Sequence, residues 1–452
     1  MSPKWVLLYL AAGLAALAAL ANTSASANGP SANAVIAWNA NVGDAALAAC
    51  IGPNPDDPLH ESRLYAMTHI AIHDALNAID RHSRPYAFDA DSPQTTSPEA
   101  AIASAARDVL VTLLGQLPFP FPQACIDAGI ASAEADYTEA LGAIPDGDAK
   151  TRGIELGRAS AAAILSLRAD DGSDTPLLVF DYPQGTAPGE WRFTPGFPFA
   201  FAPGWADVTP FVLRDSSQFR APPPYALSNH KYTEDFNEVK RLGGDGVTTP
   251  SERTAEQTEI ARFWVESSPL QWNRIARAVA TNMGVDLWES ARLFGLLNMA
   301  MADGYIGSWE TKFQEYNFWR PVTAIQLADT DGNPDTASDP SWTPLVPTPP
   351  IPDHDSGHSV EGGAAAQVLK QFFGTDRVHF ETCSLTLPAG GTCSDSSPVL
   401  RSFGSFSEAA DENGLSRILV GFHFRKAVED GIEHGRKIGH RAVSHFMRPT
   451  DH

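Results

Sequence analysis

Helix-period apolar patterning constrains this chain more than any other feature. Residues 60–168 carry it in RLYAMTHIAIHDALNAI, AAIASAARDVLVTLLGQL, ACIDAGIASAEADYTEALGAI and the stretch from Thr151 to Leu167. Apolar side chains return there once per helical turn, which predicts four helices packed as a bundle. The pattern resumes at Tyr232–Arg241, Arg253–Val265 and Ser268–Thr281, then in a long helix capped by Asp286 with Glu289 three residues on. Val360, Ala364, Val368 and Phe372 recur every fourth residue until Gly374, and helical runs over Ser416–Val420 and Phe424–Phe446 flank a break at Gly421. No stretch shows convincing strand alternation. The expectation is an all-α fold of two helical bundles, residues 33–168 and 229–448, and 452 residues suffice for so large a core. Residues 169–228 between them are irregular and dense in proline, glycine and aromatics, as in PGEWRFTPGFPFAFAPGW. Aromatics at that density belong inside a protein, so this segment reads as a wrap along the approach to a site or as plain structural strapping.

One stretch carries most of the chemistry. Pro349–Val360 reads PPIPDHDSGHSV: a proline-stiffened approach, then Ser356, Gly357 and His358 opening a helix. A helix start with a glycine suits an oxyanion, because backbone N–H groups come close and carry partial positive charge. Cationic segments lie on both sides, KFQEYNFWRPVTAI with Lys312 and Arg320, and SRILVGFHFR with Ser416, Arg417 and His423. Against 54 acidic and 32 basic residues, a net charge of −22, such a gathering of cations is a local exception. The same overall charge opposes binding to nucleic acid or to an anionic membrane. His69 and His73, one turn apart with Asp74 beside them, have a spacing open to a metal, but no further ligand motif joins them and polar contacts at a helix packing face are the expectation. His354, on the proline-rich approach, is expected to be exposed.

The N-terminus reads as an export signal over residues 1–27, with Lys4 before an apolar run from Trp5 to Ala21 and a small-residue Ala25-Ser26-Ala27 cleavage site. An uncleaved anchor is the alternative. A secreted or periplasmic location follows, with no stable membrane span after cleavage. The cysteines are Cys50, Cys125, Cys383 and Cys393. An oxidising compartment would pair them, proximity favouring Cys383–Cys393 and leaving Cys50 for Cys125.

The ordered triple of Lys…Arg-Pro, Ser-Gly-His and Ser-Arg-x5-His resembles the superfamily of vanadium-dependent haloperoxidases and type 2 phosphatidic acid phosphatases, whose pattern runs K-x6-RP, PSGH and SR-x5-H-x3-D. The phrases YNFWRPVTAI, SGHSVEGGAAAQVL, FFGTD and SQFRAPPPYAL resemble its secreted bacterial haloperoxidase branch. The sequence departs from the pattern in three places: seven residues separate Lys312 from Arg320, Asp355 replaces the proline, and Ala427 replaces the final aspartate. Asp430 and Asp303 are the candidates to replace that carboxylate. By the resemblance the cofactor is vanadate, with phosphate able to occupy the same site. Lys312, Arg320, Arg417, Ser356 and the Gly357 N–H would hold its oxygens, His423 would be the metal ligand, and His358 the acid–base group. The implied activity is oxidation of halide by hydrogen peroxide to a hypohalous species that halogenates small organic compounds; an acid phosphatase working through a phosphohistidine is the alternative, and a non-catalytic binding protein a third. A homodimer is compatible with either enzyme. The halide is left open, with Ile351 seven residues before His358.

Overall fold

A computed structural model describes residues 33–52 and 57–450. The expected export signal lies outside these residues. The first half holds α1 (Ala34–Ala48), α2 (Pro58–Ile79), α3 (Pro98–Leu114), α4 (Gln123–Gly142) and α5 (Asp148–Leu167). The last four are the helices expected from periodicity, and α1 is additional. Its inner face mixes Val35, Trp38 and Val42 with Asn39, Gly43 and alanines, which dilutes the apolar signal. Asp57 and Ser97 cap α2 and α3 through their side chains, with Pro58 and Pro98 at the first helical turn, where a missing N–H costs nothing. His69 and His73 of α2 serve packing as expected. The Asn39 amide meets His69 Nε2 at 2.9 Å, and His73 lies between Asp74 (2.8 Å) and Ser83 (2.7 Å).

The second half holds α6 (His230–Leu242), α7 (Ala255–Phe263), α8 (Ser268–Asn282), α9 (Leu287–Trp309), α10 (Pro321–Gln326), α11 (Gly357–Phe373), α12 (Phe406–Leu419) and α13 (Arg425–His445). Two short antiparallel ribbons accompany them, β1 (Leu178–Val179) with β2 (Ala200–Phe201), and β3 (Phe380–Thr382) with β4 (Arg401–Phe403). The fold is all-α apart from these. One apolar core runs through both halves, from Val35 and Ile70 through Leu297 and Met301 to Val360, Leu369 and Ile438. Among the described residues no helix is long and apolar enough to cross a membrane.

Residues 169–228 are tied down along their length. Trp191 and Trp205 are fully buried beside Trp309 and Phe313. Each buried indole contributes on the order of 5 kcal/mol of apolar burial, before the entropy of ordering the chain is subtracted. The main chain bonds to the approach and its neighbours, Trp191 N to Asn317 O at 2.8 Å, Trp319 N to Gly189 O at 2.9 Å and Phe201 N to Pro350 O at 2.9 Å. Asp303 in α9 accepts from the N–H groups of Phe211, Val212 and Leu213 at 2.6–2.7 Å. Both expected disulfides are present, Cys50–Cys125 and Cys383–Cys393.

Two packing details position the chemistry. α11 and α13 touch backbone to backbone, since a Cβ on Gly435 would stand only 1.8 Å from the Val360 carbonyl oxygen. The Ser356 N–H donates to the Ala427 carbonyl at 2.9 Å, which fixes the start of α11 against the start of α13.

Candidate active site

The extra residue between Lys312 and Arg320 has a structural answer. α9 passes directly into a π-helical stretch, Glu310–Tyr316, whose wider turn absorbs one residue and keeps Lys312 facing inward. Its ammonium donates to the carbonyls of Pro352 (3.1 Å), Asp353 (2.9 Å) and Asp355. These three bonds use all its protons, so here Lys312 braces the approach and supplies charge. Burial, with Arg320 adding, lowers its pKa to about 7 against the pull of Asp355 and Asp353. Its charged form is thus disfavoured by on the order of 5 kcal/mol relative to water.

Arg320 is the N-cap of α10, and Pro321 begins that helix. Its Nε donates to Ile351 O at 2.6 Å, and Nη1 donates to Phe422 O at 2.9 Å and lies 2.8 Å from His423 Nε2. Burial lowers its pKa to about 10, opposed by Asp353. On the far side of the site, α12 ends at Leu419 and Gly421 turns the chain at φ +87°, a left-handed value that glycine adopts without strain. The N–H groups of Phe422 and His423 fold back onto Arg417 O at 3.0 and 3.3 Å. This compact turn brings Arg417 and His423 towards one site. Arg417 is buried and donates to Ser416 Oγ at 3.0 Å and to Trp264 O.

His423 Nδ1 lies 2.9 Å from Asp353 Oδ1. Burial, then Arg320, Lys312, Arg417 and His358, hold its pKa well below the usual value. His358, at the first turn of α11, is half-buried, and its Nε2 donates to Glu266 O at 3.3 Å. Burial and then Arg417 lower its pKa too, with smaller contributions from Arg320 and Lys312. Ser356 is fully buried and accepts from Ser359 Oγ at 2.9 Å, so its side chain does not cap α11. A Cβ on Gly357 would meet Tyr305 and Trp309 at 3.4 and 3.5 Å. Lys312, Arg320, Arg417 and both histidines therefore share one field at the start of α11.

Two expectations need correction. The carboxylate facing His423 is Asp353, and neither Asp430 nor Asp303 does this. Asp430 pairs with Lys426 at 2.7 Å, while Asp303 holds the connecting segment. His354 is buried, not exposed, because residues 169–228 cover it: its Nε2 donates to Pro222 O at 2.8 Å. Asp355, in place of the motif proline, binds His434 Nδ1 and Ser308 Oγ at 2.7 Å each and so ties α13 to α9 through the approach. Burial alone would raise its pKa; His434 and Lys312 bring it below the usual carboxylate value. The signal that could have revealed Asp353 is its place, five residues before His358 in a stretch flanked by cationic motifs.

Lys312, Arg320 and Arg417 are buried together near the start of α11, and the positive potential they add there suits a multiply charged oxyanion. His423 offers Nε2 as a nitrogen donor, and the α11 N-terminus adds N–H groups. This donor set fits vanadate. The family comparisons agree, for residues 292–452 match the VCPO second helical-bundle domain. Vanadium chloroperoxidase of Curvularia inaequalis is 25% identical over 83% of this chain and 75% of its own length. The crystal structure of the first bacterial vanadium-dependent iodoperoxidase superposes with a TM-score of 0.73, at 25% identity, covering 94% of this chain and 99% of that one. In sequence and fold this chain is similar to vanadium haloperoxidases. A holo-type bacterial vanadium-dependent chloroperoxidase, 18% identical with a TM-score of 0.67 over 89% of this chain and 94% of its own, shares the fold.

An imidazole must be neutral to offer its lone pair to a metal. The depressed pKa of His423 means that vanadate retention should not collapse between pH 8 and pH 6. Equilibrium dialysis at stepped pH checks this; a loss centred near pH 6.5 would show an ordinary, exposed imidazole.

Proposed function

We propose that this protein is a vanadate-dependent haloperoxidase, oxidising halide with hydrogen peroxide to a hypohalous species. The observation that carries the reading is His423, neutral, buried and backed by Asp353, with Nε2 presented among Arg320, Arg417 and Lys312. When bound, vanadate supplies a Lewis-acidic centre that activates peroxide. The chain's own residues do the rest. The arginines and the α11 N–H groups offset the oxyanion's charge in a water-poor site, and Lys312 holds the approach while adding to the field. Donation from His358 Nε2 to the Glu266 carbonyl leaves Nδ1 as the basic nitrogen, suited to taking a proton from peroxide and returning it to the leaving oxygen.

The two disulfides support an oxidising location, and we place the protein outside the cytosol, secreted or periplasmic. The direct test compares protein freed of phosphate with and without added vanadate. Vanadate should confer peroxide-dependent oxidation of iodide or bromide. Turnover of a phosphate ester, with no halide oxidation after vanadate loading, would instead establish the acid phosphatase.

A further inference from the structure

We propose that Asp353 is the positioning carboxylate of His423, supplied by the proline-rich approach in a chain that has Ala427 where the family pattern has an aspartate. The inference rests on the vanadate reading of the site. Two contacts favour the same tautomer. Arg320 and Lys312 oppose the rise that burial gives the Asp353 pKa, and in its ionised form Asp353 only accepts, so its 2.9 Å contact then puts the proton on His423 Nδ1. A guanidinium only donates, and Arg320 Nη1 lies nearer Nε2 (2.8 Å) than Nδ1 (3.4 Å), which favours the lone pair on Nε2. The neutral ring therefore turns Nε2, as an electron-pair donor, towards the cationic pocket. An outer hydrogen bond of this kind fixes ring orientation and raises ligand basicity.

Asp353 is built for that task. Its N–H donates to Phe318 O at 2.9 Å and its carbonyl accepts from Lys312 Nζ at 2.9 Å, so the backbone beneath the carboxylate is held on both sides. Asp353 and Ala427 line the same small cleft with Phe424 and Lys426, so the approach and the start of α13 meet there. The carboxylate that reaches His423 in this chain comes from the approach.

The test reads tautomer and affinity separately. Protein labelled with ¹⁵N-histidine, with His423→Gln to assign the signal, should show His423 protonated at Nδ1, and Asp353→Ala should lose that preference. In equilibrium dialysis with vanadate, Asp353→Ala should bind roughly 10–100-fold more weakly than wild type. Adding Ala427→Asp to Asp353→Ala should recover most of the loss, which a merely structural defect would not allow. Wild-type affinity with an unchanged tautomer in Asp353→Ala would overturn the assignment. Should that variant not fold, Asp353→Leu keeps the bulk without an acceptor, and wild-type affinity and tautomer there would overturn it equally. If the wild type itself bound no vanadate, the vanadate reading would fail, while the tautomer comparison would still decide the role of Asp353.

Discussion

Replacing His423 with alanine is expected to abolish vanadate retention and peroxide-dependent halide oxidation together. The remaining contacts are ionic and hydrogen-bonded, from Arg320, Arg417 and the α11 N-terminus, and they hold any oxyanion without a nitrogen ligand. The loss of affinity should exceed the roughly 10–100-fold typical of removing an outer partner of a metal ligand. Phosphate should bind His423→Ala nearly as well as wild type, since its affinity rests on charge. Parallel dialysis with the two anions separates loss of the ligand from collapse of the pocket. Vanadate held as tightly as in wild type would remove His423 from the ligand role.

His358→Ala should behave in the opposite way. Its half-buried ring donates to the Glu266 carbonyl and makes none of the contacts that fix Arg320, Lys312 or His423. Vanadate should stay bound, while halide oxidation falls by roughly 10²–10⁴-fold, the range for losing a general acid–base group. The check is the turnover number of the loaded variant, measured at saturating peroxide after vanadate content has been matched to wild type. Vanadate lost from His358→Ala but kept in His423→Ala would mean that the two roles are exchanged, and full activity in either would place the site elsewhere.

The helices were legible where one face is strongly apolar. α9 and α11 were readable from Asp286 and from the fourfold spacing of Val360, Ala364, Val368 and Phe372, with Gly374 stopping α11. α1 was missed, and the first turns of α12, because alanine, asparagine and glycine populate their inner faces and blur the period. The cationic side chains were readable from motif order. Their geometry depends on local backbone that periodicity does not encode. The π-helical stretch is visible in sequence only as one residue too many between Lys312 and Arg320, a surplus that a bulge can absorb. Gly421 was different, because a glycine between Arg417 and His423 has an immediate conformational meaning.

Asp353 and His354 show where sequence reading stops. Their environments are made by segments far away in the chain: α13 and the 417–423 turn bring His423 to Asp353, and residues 169–228 lay Pro222 over His354. A proline-rich approach read alone suggests solvent. Covered by an aromatic wrap, it becomes an inner wall of the site, and a side chain taken for a surface residue is buried.

An anomalous difference map from a vanadate-soaked crystal, collected at the vanadium absorption edge, tests the placement of the cofactor most directly. A single strong peak within bonding distance of His423 Nε2, beside Arg320 and Arg417 and at the N-terminus of α11, is the predicted result. A peak bonded to His358, or none at this pocket when vanadium is present elsewhere in the crystal, would contradict it.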